Sequence, residues 1–134
     1  MILDTNVWIR FVVGFDLHQA TFDHIENVQA SGERLAVSAF TLWEVAKLVE
    51  RSRIDLSMSL DKFFDLGLMG SNVEVVPLSR RVASLSCQLP PGMNNDPADQ
   101  VIIATAMIHR EVLATLDRDL VRYPHCRTYA ARKA

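Results

Sequence analysis

The sequence predicts a single α/β domain whose central parallel sheet has about five strands and is flanked by helices. Short apolar stretches, such as those at 35–37 and 73–76, are typical of buried strands. They alternate with longer stretches in which apolar residues recur at helical spacing, and this alternation is the pattern of a parallel α/β sheet. The length of 134 residues suits one domain with its own core, so residues 1–134 are assigned to a single domain.

The elements follow from this pattern in chain order. Strands are predicted near 1–3, 35–37, 73–76, 112–114 and 127–129. Helices are predicted at 7–13, 18–30, 39–51, 59–69, 79–87 and 97–110, with a last helical turn after Asp117. The stretch QLPPGMNNDP at 88–97 is the one clear irregular loop, because prolines, a glycine and asparagines punctuate regular structure.

Composition disfavours several classes of protein. The longest apolar run, VIIATAMI at 101–108, is well short of the roughly 18 to 20 residues of a membrane span. The N-terminus lacks the basic segment of a signal peptide, so we expect a cytoplasmic protein. Two cysteines, Cys87 and Cys126, and four histidines at no metal-ligand spacing disfavour a disulfide framework and a zinc site.

Net charge is −2, yet from Arg118 onward five basic residues face only Asp119. A basic C-terminal segment is compatible with a nucleic-acid partner and is also common in proteins that bind none.

Two carboxylates directly follow predicted strands. Asp4 either caps a helix that starts around Val7 or belongs to a ligand site, since ligands bind beyond the carboxyl ends of strands in open α/β sheets. Asp117 comes two residues after Thr115, at the end of another predicted strand, and it either caps a final helical turn or shares the edge with Asp4. Each residue alone leaves both interpretations open.

Glu44 lies on an apolar stripe of the helix that Ser38 caps, with Phe40 four residues before it and Leu48 four residues after it. Burying a carboxylate there is costly unless something positive meets it. The structural alternative is a bond to Lys47 one turn further on.

Asp99 lies near the start of the apolar helix that contains VIIATAMI. Asn95 or Asp96 caps this helix, and Pro97 occupies its first position, where a missing N–H costs nothing. Asp99 then has three possible roles. It is an acid stabilised by the positive end of the helix dipole, or the return arm of a capping box, or a site residue held close to the sheet edge.

Together, Asp4, Glu44, Asp99 and Asp117 have one shared explanation. Clustered carboxylates repel one another, and a divalent cation removes that penalty. Ligands that are all oxygen favour Mg²⁺ or Mn²⁺, and the chemistry that follows is phosphodiester hydrolysis by an activated water. The sequence contains no GxSxG elbow, P-loop or GxGxxG motif.

Four motifs in this order resemble the PIN domain, specifically the VapC-type toxins of bacterial and archaeal toxin–antitoxin pairs. The resemblance spans essentially the whole chain and rests on MILDTNVWI, VSAFTLWEVAKL, LPPGMNNDPADQVIIATA and LATLDRDL. It implies that the family's four metal-binding catalytic acids fall on Asp4, Glu44, Asp99 and Asp117, with Thr115 as a neighbouring polar residue. The arginine usual after the third acid is Gln100 here, which leaves open how Asp96 is paired and how the substrate is positioned.

The resemblance implies a Mg²⁺- or Mn²⁺-dependent endoribonuclease that blocks translation by cutting RNA, often a tRNA or ribosomal RNA. It also implies a homodimer and inhibition by a cognate VapB-like antitoxin, which binds a groove near the N-terminal helices. Apolar residues that could line this groove, or simply form the core, are Val7, Trp8, Phe11, Val12, Phe22 and Ile25.

Two alternatives remain at this stage. A haloacid-dehalogenase-like phosphatase also places an Asp after its first strand, but it needs a second Asp where this chain has Asn6. A PIN-like module that only binds RNA or protein would keep the fold and cleave nothing.

Overall fold

The computed structural model describes all residues 1–134, and it contains one parallel sheet of five strands. The strands are β1 (Ile2–Leu3), β2 (Leu35–Ser38), β3 (Val73–Val76), β4 (Leu113–Thr115) and β5 (Thr128–Ala130). Their order in the sheet is β3-β2-β1-β4-β5, and every neighbouring pair is parallel. The predicted parallel sheet is confirmed, and each strand lies within one residue of its predicted bounds.

Seven α-helices surround the sheet. They are α1 (Thr5–Val13), α2 (Gln19–Ala30), α3 (Ala39–Glu50), α4 (Leu60–Asp65), α5 (Arg80–Ser86), α6 (Pro97–His109) and α7 (Arg118–Arg122). Helix α1 begins two residues earlier than predicted, because the Asp4 side chain accepts a hydrogen bond from the Thr5 N–H at 2.9 Å and caps the helix there. None of the helices combines the length and hydrophobicity that a membrane crossing requires.

The core divides into two layers on opposite faces of the sheet, because neighbouring strand residues point to opposite faces. On one face, Leu3 packs with buried side chains of the first, second and fourth helices, including Val7, Trp8, Ile25 and Phe63. On the other face, Ile2 packs with buried side chains that include Ile102, Ile103 and Leu120. Helix α5 then covers α6 through a small third cluster. The predicted arrangement of a central sheet flanked by helices is confirmed.

Strand β1 lies at the centre of the sheet and sets the position of the residue after it. Ile2 is in register with Ala36 of β2, and Leu3 with Ala114 of β4. The Asp4 N–H still donates to the Ala114 carbonyl at 2.9 Å. Asp4 is therefore fixed at the middle of the edge where the parallel strands end.

The helix predicted at 59–69 is only partly α-helical. Helix α4 ends at Asp65 and continues as a π-helical turn, Leu66–Gly70. At Gly67 an added Cβ would lie 2.7 Å from the Trp8 ring, and the Trp8 indole N–H donates to the Gly67 carbonyl at 3.1 Å. The close approach between the turn and the indole ring requires a residue without a side chain.

We expect Gly67→Ala to lower the free energy of unfolding by about 1–3 kcal/mol, because a methyl group there overlaps a fully buried ring. Urea denaturation measures the change. Gly70→Ala is the matched control from the same turn, since its added Cβ would meet other atoms only at 3.7 Å. Equal stability of the two variants would contradict this account of Gly67.

Candidate active site at the carboxyl edge of the sheet

Asp4 is 7% exposed and uses both carboxylate oxygens. One oxygen accepts from the Thr5 N–H, and the other accepts from the Thr115 hydroxyl at 2.7 Å. Thr115 Oγ1 in turn accepts from the Asp117 N–H at 3.0 Å. The capping interpretation of Asp4 is therefore correct, and Asp4 also lies at the sheet edge, beside the end of β4, where a ligand site was predicted.

Glu44 reaches the same edge from α3. Its Oε1 accepts from the Thr5 hydroxyl at 2.6 Å, and Thr5 and Thr41 share a further hydroxyl contact at 3.0 Å. The predicted alternative, a bond from Glu44 to Lys47, is wrong, because Lys47 pairs with Glu50 at 2.9 Å. Glu44 is thus held toward Asp4 by the hydroxyl group of the residue that follows Asp4.

Asp99 projects from the first turn of α6. Its Oδ2 accepts from the Asn94 amide at 3.0 Å, whereas the Asp96 N–H bonds to Asn94 Oδ1. The capping-box interpretation of Asp99 is therefore wrong. Asp96 is the N-cap of α6, accepting from the Asp99 N–H, and Gln100 donates to the Asn94 carbonyl at 2.8 Å.

Asp117 caps α7, as its structural interpretation proposed, by accepting from the Asp119 N–H at 2.8 Å. It is also half-buried at the end of β4, and its charge raises the pKa values of Asp4 and Asp99. The two interpretations are again compatible, because a cap at the end of a strand lies at the sheet edge.

Asp4, Glu44, Asp96, Asp99 and Asp117 form what we call the acidic cluster. Every ion pair in the protein lies outside it and uses the acids Asp16, Glu50, Glu74, Glu111 and Asp119. Of the eleven acids outside the cluster, five form these ion pairs and the other six are exposed to solvent, whereas Asp4, Glu44, Asp99 and Asp117 are at least partly buried and have no basic partner. This combination of burial and missing basic partners is the main electrostatic feature of the molecule.

The crowding of charge shows in the pKa values of the cluster. Burial, followed by the charges of other cluster acids, raises the pKa of Glu44 to about 7 and that of Asp99 to about 6. Burial also raises the pKa of Asp4, although hydrogen bonds from Thr115 and Thr5 oppose this. The mutual effects show that the acids predicted from four separate motifs lie within electrostatic range of one another.

The donor set of the cluster suits a hard divalent cation, because every ligand is a carboxylate oxygen and no basic side chain competes for them. No three acidic, histidine or cysteine side chains already converge closely enough to hold an ion between them. Mg²⁺ typically takes only one or two carboxylates directly and keeps several waters, so a converged set is not required for it.

A sequence model of the PIN domain matches residues 1–125. The chain belongs to the PIN-domain family. It is also 36% identical over 95 residues to Ribonuclease VapC22 of Mycobacterium tuberculosis (strain ATCC 25618 / H37Rv), and the match covers 71% of this chain and 72% of that protein. Family membership removes the haloacid-dehalogenase-like alternative.

Solved structures confirm the PIN-like α/β fold. A chain from the structure of VapBC2 from Rickettsia felis bound to a promoter DNA fragment superposes with a TM-score of 0.74 at 18% identity, covering 99% of this chain and 98% of that one. A chain of a toxin–antitoxin complex from Klebsiella pneumoniae gives a TM-score of 0.65 at 21% identity, covering 96% and 94%. FitAB bound to the IR36 DNA fragment gives 0.62 at 18%, covering 96% and 92%.

The apolar residues expected to line a groove near the N-terminal helices divide into two groups. Val7, Trp8 and Ile25 are fully buried in the core and cannot face a partner. Phe11, Val12 and Phe22 are partly buried against the same core. The core interpretation is therefore correct for the first group, because its side chains fill the layer between the helices and the sheet.

Three polar residues of the site were not identified from the sequence: Thr5, Thr41 and Asn94. Thr5 and Thr41 position Glu44, and Asn94 positions Asp99. The sequence does contain features that point to two of these residues. Thr41 lies three residues before Glu44, on the same side of the predicted helix, and Asn94 precedes Asp96 in a loop rich in turn residues.

We expect the metal-free protein to lose stability as pH rises from 5 to 8. The pKa values of Glu44 and Asp99 rise from 4.5 and 3.8 in reference groups to about 7 and about 6. The folded state therefore binds more protons than the unfolded chain, and the free energy of unfolding falls as these protons leave. After allowance for solvent screening, the effect is on the order of 1 kcal/mol.

Urea denaturation in EDTA at several pH values, with Glu44→Gln and Asp99→Asn beside the wild type, isolates the contribution of the two acids. Each variant should gain stability relative to the wild type as pH rises. A difference that does not change with pH would show that these carboxyl groups titrate in their ordinary range.

Proposed function

We propose that the protein is a toxin endoribonuclease that hydrolyses RNA phosphodiester bonds with Mg²⁺ or Mn²⁺ at the acidic cluster and is inhibited by an antitoxin protein. The observation that carries the proposal is a set of five carboxylates without basic partners at the strand ends of a PIN domain. The 36% identity to a ribonuclease supports the reaction class. The likeness to chains of toxin–antitoxin complexes supports the kind of partner.

In this proposal Asp4, Glu44, Asp99 and Asp117 would hold the ion, one or two of them as direct ligands and the others through its bound waters. A bound divalent ion lowers the pKa of water, polarises the phosphate and stabilises charge on the leaving oxygen. Thr115 and Thr5 fix the oxygens of Asp4, and Asn94 fixes one oxygen of Asp99. No nucleophilic side chain is needed, because water attacks phosphorus.

Glu44 is the group best placed to take the proton of the attacking water. Its Oε1 is occupied by the Thr5 hydroxyl, which leaves Oε2 for the proton. A carboxyl group with a pKa near the working pH is a suitable general base, and in the metal-free protein burial raises the pKa of Glu44 to about 7.

The substrate class we propose is a tRNA or ribosomal RNA, met in the cytoplasm, and the working form we propose is a homodimer. These assignments rest on the resemblance to VapC-type toxins. A module that binds RNA without cleaving it is the remaining alternative, since the fold alone serves both functions.

We expect Asp99→Asn to reduce RNA cleavage by at least about 100-fold, because a group that acts in the transition state typically contributes that much. Purified protein free of antitoxin is incubated with labelled small RNA, with Mg²⁺ or Mn²⁺ or with EDTA. Glu26→Gln is the control, since Glu26 is exposed and makes no ion pair. Intact RNA in the wild-type lane, with RNA still bound, would favour the binding module.

We also expect Mg²⁺ or Mn²⁺ to stabilise the folded protein by about 2.7 kcal/mol at a concentration 100 times the dissociation constant. Thermal unfolding at increasing metal concentration measures this without any substrate. Asp4→Asn and Asp99→Asn should remove most of the stabilisation. If both variants respond to metal as the wild type does, the ion binds elsewhere.

A further inference from the structure

A small basic cavity with an aromatic wall adjoins the acidic cluster. It has a volume of about 220 Å³ and is lined by Trp43, Glu44, Lys47, Leu48, Arg51 and Arg53. Drug-sized ligands occupy clefts of roughly 300–1,000 Å³. The cavity is therefore suited to one small group rather than to a large ligand, and Glu44 belongs both to its lining and to the cluster.

Trp43 is the unusual member of the cavity wall. The sequence has two tryptophans; Trp8 is fully buried, whereas Trp43 is 52% exposed. Its ring rests on Phe40 at 5.3 Å between centroids, and Phe40 is packed against helices α5 and α6. The indole is thus supported from the core and presents a large apolar face to solvent.

The other wall of the cavity is positively charged. Trp43 and Lys47 are four residues apart on one side of α3, and Arg51, the residue that caps the end of the helix, continues the same spacing. Lys47 Nζ is 5.7 Å from the Trp43 ring centroid, within the range of a cation–π contact. Ser52, with φ 53°, then turns the chain so that the Arg53 N–H donates to the Leu48 carbonyl and Arg53 joins the same cavity.

No acidic side chain of the protein neutralises the charges of the two arginines in the cavity wall. Arg51 and Arg53 are exposed and make no ion pair, and Lys47 pairs only with the exposed Glu50. Cationic side chains that follow an exposed aromatic face are the combination by which proteins bind single-stranded nucleic acid: the base stacks on the ring, and the backbone phosphates contact the charges.

We propose that Trp43, Lys47, Arg51 and Arg53 form a nucleotide subsite, in which an unpaired RNA base next to the cleaved bond stacks on Trp43 and the adjoining phosphates bind the two arginines. This inference rests on the proposed nuclease function and adds to it a requirement for a single-stranded segment. Unpaired bases are the parts of RNA that proteins recognise by stacking. Trp43 is a binding residue here, not a catalytic one.

The first test uses the full chain carrying Asp99→Asn, so that RNA stays intact. Short single-stranded RNA of mixed sequence should quench the Trp43 part of the tryptophan emission. Adding Trp43→Ala should abolish this quenching and weaken RNA binding by about 5- to 150-fold, the range measured for loss of one stacked base. Trp43→Phe should keep most of the affinity. Phe15→Ala is the matched control, because Phe15 is an exposed aromatic residue outside the cavity.

The arginines are tested by salt dependence. RNA affinity falls as the salt concentration rises. Arg51→Ala and Arg53→Ala should each make the slope of log affinity against log salt concentration less steep by roughly 0.7, the value for one phosphate contact on a single strand. Unchanged slopes in both variants would remove the phosphate part of the proposal.

The outcomes separate the subsite from the nuclease function. If the wild type cleaves RNA while Trp43→Ala binds RNA with unchanged affinity, the subsite is wrong and the nuclease function stands. If the wild type neither binds nor cleaves RNA, the nuclease function fails and the subsite fails with it. If Trp43→Ala changes the sedimentation of the protein instead of its RNA affinity, Trp43 belongs to an interface between copies, and the subsite is likewise overturned.

Discussion

The structure is organised around the repulsion among carboxylates gathered where the parallel strands end. Five acids share this edge without a single basic partner, and four of them are at least partly buried, whereas the acids elsewhere that make no ion pair are exposed to solvent. The contrast is sharpest with Glu111, which contacts both the Met1 amine and Arg34. A protein selected only for stability would offset the charges of the acidic cluster in the same way. The cluster instead stays without basic partners, which contributes to the raised pKa values within it, and its charge is what the proposed metal ion would neutralise.

The fold meets this constraint with neutral hydroxyl groups and helix ends in place of cations. Thr115 and Thr5 donate to Asp4 and Glu44, and both threonines are buried, so they hold the oxygens in place without changing the net charge. Asp96 and Asp117 face the N-termini of α6 and α7, where the helix dipole favours a negative group. Strand β1 has only two residues, yet this length is sufficient to position Asp4, because β1 pairs with β2 on one side and with β4 on the other.

The sequence indicated the sheet and the four acids because both depend on local patterns. Buried parallel strands are visible in the sequence as short apolar runs, and the four acids either follow such runs or interrupt the apolar face of a helix. What the sequence did not indicate depends on contacts between distant residues. Thr115 and Asp4 are 111 positions apart, and Thr5 and Glu44 are 39 apart. The π-helical turn likewise contains a long-range contact, between Gly67 and Trp8, which no local propensity describes.

The separation of charge also explains how a chain with net charge −2 could bind the RNA of the proposed function. Net charge governs long-range attraction, whereas affinity depends on the charges that phosphates actually meet within about a Debye length, roughly 8–10 Å. Along α3 and the residue after it, the acid and the cations are successive: Glu44 faces Thr5 and the cluster, and Lys47 and Arg51 line the neighbouring cavity. In the proposed function this segment would carry a metal ligand and a phosphate-binding surface side by side. An RNA strand bound along the cations would be led to the acidic cluster, where a bound cation would reverse the local sign of charge and accommodate the phosphate.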